Sequence, residues 1–216
     1  MNVSFEERKI HAVNKAYYLD LFEKVSLSII FFFMSYRFLD AFLTRGDVIS
    51  LLLLITEAAS LCFILFRRRS ETISVNWRDW MLAYCGSFLP LTVRPEETVT
   101  FGAAIALAGF IGSCGILVQL WAKFTLRRSF GIVAANRGVK THGPYRFVRH
   151  PMYAGYMVTQ IAFLATHYTA YNVTIYVFLW ALQIGRILAE ERILFQDPAY
   201  QEMAIRVRHR LLPGIF

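Results

Sequence analysis

Apolar residues in this chain fall into long blocks separated by short polar connections, and the blocks have the length of membrane spans. About 20 apolar helical residues cross a bilayer core. Six segments approach that length. The first runs from about Leu21 to Leu43, its apolar part ending near Tyr36 because Arg37 and Asp40 follow. The second, Val48 to Phe66, is interrupted by Glu57, and the third, Trp77 to Val93, opens with Trp77 and Trp80, which suit a membrane interface. Pro90 is expected to kink or end that third helix. The fourth runs from Phe101 to about Phe124, the fifth from Met152 to about Thr166, and the sixth from about Tyr171 to Leu188. Only "THYTAYN" separates the last two, which predicts a tight helical hairpin. In the fourth segment Gly102/Ala106 and Ala104/Ala108/Gly112 recur at four-residue spacing, a pattern that lets helix backbones approach closely in lipid. The pattern predicts an all-α fold: a polytopic transmembrane helical bundle of about six spans.

Composition supports this class. The 216 residues are 56% hydrophobic and 18% charged, which excludes an ordinary soluble domain. A net charge of +8 would suggest nucleic-acid binding in a soluble protein, but its distribution has another explanation. With six spans, the N-terminus, the 67–78 and 123–149 connections and the C-terminal tail hold 20 of the 23 Lys and Arg residues. Arg37, Arg45 and Arg94 hold the other 3. The positive-inside rule then places both termini in the cytoplasm and makes "RRR" at 67–69 a topology marker, with no nucleic-acid partner implied. The first eighteen residues carry Glu6, Glu7, Arg8, Lys9 and Lys15 and show no secretory signal, so the first apolar block is read as a retained anchor. Cys62, Cys85 and Cys114 lie in apolar segments and are read as reduced packing residues. The five histidines show no ligand spacing, so no metal site is expected. Glu57 is read as a protonated structural acid, with the lining of a lateral substrate opening as the alternative.

The chemistry-bearing residues gather at one end of the predicted bundle. "THGPYRFVRHPMYAGY", residues 141–156, precedes and opens the fifth span, and "AEERILFQDPAYQEMAIRVRHRLLPGIF" follows the sixth. The short hairpin brings these stretches together on the cytoplasmic face. Gly143–Pro144 sets a turn. Pro151 suits the first position of a helix, next to a cap at His150, and the free amides there can hold a carboxylate or phosphate. Arg149 adds a bidentate donor, Gly155 leaves room for a ligand or a neighbouring helix, and Tyr145, Tyr153 and Tyr156 offer faces for an adenine or a cation. Glu190 and Glu191 point in different directions on a helix, so one can face the bundle, and Arg186 is spaced to pair with Glu190.

Together "RHPMYAG" at 149–155, a 34-residue hydrophobic hairpin and "EE" at 190–191 resemble the bipartite signature of the isoprenylcysteine carboxyl methyltransferase family. That group of integral membrane enzymes includes phospholipid N-methyltransferase relatives. "GPYRFV" and "RLLPGIF" are similar to the family as well, so the resemblance covers roughly residues 101–216. It divides the chain into an unassigned N-terminal membrane region, 1–100, and a methyltransferase core, 101–216. In that core, 141–156 is the cofactor loop and 190–216 the tail.

The resemblance implies S-adenosylmethionine as methyl donor, held on the cytoplasmic side by His142, Gly143, Tyr145, Arg149, His150, Pro151, Tyr153, Gly155, Glu190 and Glu191. The implied acceptor is a lipophilic substrate that enters from the bilayer lipids, with Arg192 and Glu191 as catalytic residues. A carboxylate or thiolate acceptor needs no strong base, whereas an amine or phenol would use Glu190, Glu191 or His142. The expected location is a bacterial inner membrane with the active site facing the cytoplasm. Headgroup N-methylation of a phospholipid, an NADPH-dependent membrane sterol-type reductase and a non-catalytic membrane scaffold remain as alternatives.

Overall fold

A computed structural model describes residues 5–46, 48–70, 72–95, 101–212 and 214, and of residues 5–13 the backbone alone. The side chains of Glu6, Glu7, Arg8, Lys9 and His11, and all of Pro213, Ile215 and Phe216, lie outside the described residues. Neither glycine nor proline interrupts the first 45 residues, and the first apolar block is therefore part of one 41-residue helix, α1 (Phe5–Arg45). Gly46, at φ 68, ends it in the left-handed conformation that closes many helices, its amide donating to the Phe42 carbonyl. Then follow α2 (Val48–Leu65) and α3 (Trp77–Phe88). Asn76 caps α3, its side chain accepting from the Arg78 amide. Pro90 ends α3 as expected, because the chain tightens into a 3₁₀ turn over Leu89–Thr92.

The remaining helices are α4 (Gly102–Leu126), α5 (Pro151–Thr166), α6 (Ala170–Leu194) and a short α7 (Pro198–Arg206). Among the described residues there is no strand, only an isolated antiparallel bridge between Ile73 and Ala135. Among the described residues four helices, in α1, α2, α4 and α6, are long and apolar enough to cross a membrane. The chain is an integral membrane protein by this measure. At 12 and 16 residues, α3 and α5 are shorter than a perpendicular span.

Helix α4 packs on α5 where Gly115 meets Gly155 and Gly112 meets Ala162. The small residues nearer the start of α4 are exposed up to Leu107, so only the later part of the predicted small-residue face is used. Cys62, Cys85 and Cys114 are free and exposed, which corrects their reading as packing residues: they sit on the outer faces of their helices. At one end Asn172 ties α6 to Arg94, accepting from its amide at 3.0 Å and donating to its carbonyl at 2.8 Å. At the other end the irregular connection from Phe130 to Val139 lies between the helices, and both functional cavities are built around it.

Candidate functional site

The α5 start forms as its sequence dictates. Pro151 occupies the first helical turn, and the amides of Arg149 and His150 donate to the carbonyls of His209 and Arg210 at 2.9 and 2.8 Å. The C-terminal tail therefore lies along the α5 start and takes the His150 amide, one of those expected to face a ligand. The first-turn donors left at this helix end are those of Met152 and Tyr153.

An open cleft with about 740 Å³ of empty space, counting its solvent-filled mouth, lies beside this helix start. Small-molecule sites span about 300–1,000 Å³. Tyr145, Arg149, His150, Tyr153 and Glu190 line it, and Arg137 and Lys140 add two further cations. Tyr153 donates its hydroxyl to the Glu190 carboxylate. Burial holds the Tyr145 phenol well above the usual tyrosine range, and the Glu190 carboxylate adds to this, so it stays protonated.

The two glutamates have different environments. Glu191 is buried among Arg149 at 3.2 Å, His150 at 3.3 Å, the Tyr200 hydroxyl at 3.2 Å and Arg210 at 2.8 Å, and it lines none of the cavities described here. Glu190 faces the cleft, 3.7 Å from His150 Nδ1.

Several sequence-predicted residues lie elsewhere. His142 and Gly143 line a second groove with Trp121 and Arg127, which borders the cleft at Lys140. Gly155 leaves room for a helix and not for a ligand: a Cβ there would stand 2.7 Å from the Gly115 carbonyl oxygen. Arg192 lines none of these cavities; it pairs with the buried Asp79 of α3, which Ser74 also contacts. Arg186 does not pair with Glu190 but lies over the Tyr153 ring, 5.3 Å from its centroid, and donates to Ser87 and the Ile132 carbonyl.

A second, larger cavity, about 1150 Å³ of empty space counting its open mouth, lies among the helices of the bundle. It reaches along α5 from Met152 to Phe163, about 16 Å at the helical rise per residue. Its wall is largely apolar and aromatic, with Phe31 and Met34 from α1 and Phe88 at the end of α3. Its polar groups are Glu57, Lys123, Gln119, Gln183 and Arg186, among others. Lys123 is buried within α4, 4.0 Å from Glu57, which corrects its assignment to a cytoplasmic connection. The Arg186 Nε and Gln183 Oε1 atoms are buried without a hydrogen-bond partner. Met152 lines both cavities, so they meet at the start of α5.

Sequence reasoning missed Asp20, Glu23, Arg67 and Arg137, four buried charges beside the cleft. The available signal was a pair of acids three residues apart where an apolar helix begins, since charges at such positions require partners.

Residues 99–196 match the Isoprenylcysteine carboxyl methyltransferase (ICMT) family. A comparison with curated proteins finds no match. Residues 99–196 of this integral membrane protein, which hold the cleft-lining helix starts and the glutamate pair, are thus similar to the isoprenylcysteine carboxyl methyltransferase family.

Proposed function

We propose that the chain is an S-adenosylmethionine-dependent methyltransferase that O-methylates the carboxylate of a lipophilic acceptor. The donor occupies the cleft and the acceptor the bundle cavity. The observation that carries this reading is that a cleft with several charged residues in its wall and a more apolar cavity both border Met152.

The cleft fits the donor. Glu190 supplies a carboxylate for its ammonium group, and Arg149 and Arg137 are cations for its carboxylate. Arg149 Nε also faces Glu191 at 3.2 Å, and Arg137 is held by Asp20 and Glu23, so both cations are fixed in the wall. Tyr145 and His150 offer ring faces for an adenine. When bound, S-adenosylmethionine supplies an electrophilic methyl group on a sulfonium.

The residues of the chain align the two partners and exclude water, the main demands of an in-line displacement. Tyr153 holds Glu190 in place through its hydroxyl while its ring faces the Arg186 guanidinium, so one side chain links the donor-side acid to the acceptor-side cation. Arg186, in place of Arg192, is the cation that orients the acceptor in this reading, because it lines the bundle cavity.

Charge in the cavity favours carboxyl over amine methylation. Lys123 and Arg186 line it with a single carboxylate, Glu57, and among the described residues no carboxylate pairs with Arg186. A buried cation without a counter-ion favours a bound anion. An anionic acceptor needs no base, so Glu191, bound on all sides, serves to hold the tail and not to move protons. Six spans, cytoplasmic termini and a cytoplasm-facing cleft in a bacterial inner membrane complete the proposal, motivated by the one-sided distribution of Lys and Arg.

The test is transfer of labelled methyl from S-adenosylmethionine to prenyl-cysteine analogues and to phosphatidylethanolamine, with mass spectrometry of the product. Methyl ester formation is expected. Saturable binding of NADPH with none of S-adenosylmethionine or S-adenosylhomocysteine would overturn the reading.

A further inference from the structure

We propose that Glu23 of α1, outside the family-matched segment, is a positioning residue for methyl transfer: it fixes the connection that divides the donor cleft from the acceptor cavity. The proposal rests on the two-cavity reading above. Along that connection the two faces alternate. Gly131, Val133, Ala135 and Arg137 line the cleft, whereas Phe130 and Ile132 line the bundle cavity. A displacement of this segment therefore changes both cavities together.

Glu23 is fully buried and holds the segment at its centre. Its Oε1 accepts from two successive amides, Ile132 and Val133, each at 2.9 Å. Its Oε2 is 2.7 Å from Arg137 and 2.8 Å from Arg67. Asp20, one turn earlier on α1, lies 3.0 Å from Arg137 and 2.9 Å from Arg67. Two carboxylates thus balance two guanidiniums, and all four side chains are buried. Arg137 is at once a member of this cluster and a wall of the cleft. Gly131 is required beside it, since a Cβ at that position would fall on the Arg137 guanidinium.

Other contacts also hold the connection: Arg186 donates to the Ile132 carbonyl and the Ser74 amide to the Ala134 carbonyl. Asn136 donates to Asp197 at the start of α7, and its carbonyl accepts from Ser70. Among the described residues, Glu23 is the side chain that accepts from the amides of Ile132 and Val133, where the residues facing the two cavities alternate. In this view α1 is part of the catalytic unit, setting the distance between donor and acceptor.

The experiment uses the full chain in detergent, comparing wild type with Glu23→Gln and Gly131→Ala. Glu23→Gln keeps an oxygen for the amides but loses the charge that holds Arg67 and Arg137. Gly131→Ala keeps every charge and crowds Arg137. The readouts are Kd for S-adenosylhomocysteine, kcat and KM for methyl transfer, Tm, and hydrogen exchange over residues 130–137. Folded Glu23→Gln is expected to bind at least tenfold more weakly, to lose at least tenfold in kcat, and to exchange faster at 130–137 but not across α5 and α6. A lower Tm with Kd and kcat within twofold of wild type would mean a merely structural clamp and would overturn the proposal. If Glu23→Gln does not fold, Gly131→Ala carries the same expectations and the same reversal. If wild type binds no S-adenosylhomocysteine, the donor reading falls. The positioning proposal is then decided by exchange alone, and unchanged exchange at 130–137 in the variants overturns it.

Discussion

At Glu190 and Glu191 adjacent carboxylates of one helix have different work to do. Glu190 faces the cleft with Tyr153 as its hydrogen-bond donor, so Glu190→Gln is expected to weaken S-adenosylhomocysteine binding at least tenfold while Tm changes little. Glu191 is enclosed by two arginines, a histidine and a tyrosine, and its amide replacement leaves buried cations uncompensated, at a cost of about 3–5 kcal/mol. Glu191→Gln should lower Tm strongly and expose the tail to protease at Arg206–Arg210; equal losses of donor binding in both variants would contradict this division. The sequence carried the pair and its divergence around the helix, because neighbouring residues on a helix never share a face. It did not show which acid was enclosed, since that depends on Arg210, His150 and Tyr200 arriving from three other stretches. Tyr200 gives a pH signature. Burial, and then the Glu191 carboxylate, push its phenol well above the ordinary value of about 10, and Tyr145 is raised by burial likewise. Above about pH 10 the unfolded chain releases these protons first and binds fewer than the native state, so stability present below that pH is lost as pH rises. Alkaline Tm curves should fall less steeply in Tyr200→Phe, measured relative to its own value at pH 8.

Helix α6 shows how an element distributes its chemistry. Arg186 and Arg192 are six residues apart, which at 3.6 residues per turn separates them by roughly 120° around the axis. One reaches the bundle cavity and Tyr153, the other Asp79 on α3. Arg186→Gln is expected to cut methyl transfer at least tenfold with the donor Kd within twofold of wild type. Arg192→Gln should leave transfer within threefold and lower stability by about 1–3 kcal/mol, the cost of leaving a buried Asp79 short of a partner. Paired kinetics and binding on the two variants distinguish this assignment from the reverse. Proximity to the glutamate pair made Arg192 the sequence candidate, but helical phase and the arrival of α3 decide the matter, and only the first of these is written locally. The α4–α5 contact has the same character. Small residues signalled close approach, yet those at the start of α4 have no neighbour, and the contact forms later, at Gly112 and Gly115. Gly155→Ala places a methyl 2.7 Å from the Gly115 carbonyl oxygen, inside any allowed contact. The expected destabilisation is about 1–3 kcal/mol, read as a lower Tm without a change in donor affinity of the folded protein.

Across the whole molecule, the family-matched residues 99–196 do not build the site by themselves. Glu23, Asp20 and Arg67 hold the connection between the cavities, and Phe31, Met34 and Glu57 line the larger cavity, all from the first two helices or, for Arg67, two residues beyond them. The apolar blocks made these helices legible as spans, and the glutamate in the second block was visible. Their share in the site was not, because each contact joins residues far apart in sequence and needs only a single charge or ring at an otherwise unremarkable position. Lys123 and Arg186, counted with cytoplasmic connections, also proved to be cavity residues inside α4 and α6, since the charge pattern of a span end gives no depth. A split chain tests this shared architecture. Residues 101–216 expressed alone should fail to bind S-adenosylhomocysteine, because the connection loses the carboxylate that binds the Ile132 and Val133 amides, and Arg137 loses both acids. Co-expression with residues 1–100 should restore binding and co-purify the two halves, and Glu23→Gln in the first half should abolish that rescue. Donor affinity of the isolated second half within twofold of the full chain would mean that the first helices only anchor the protein.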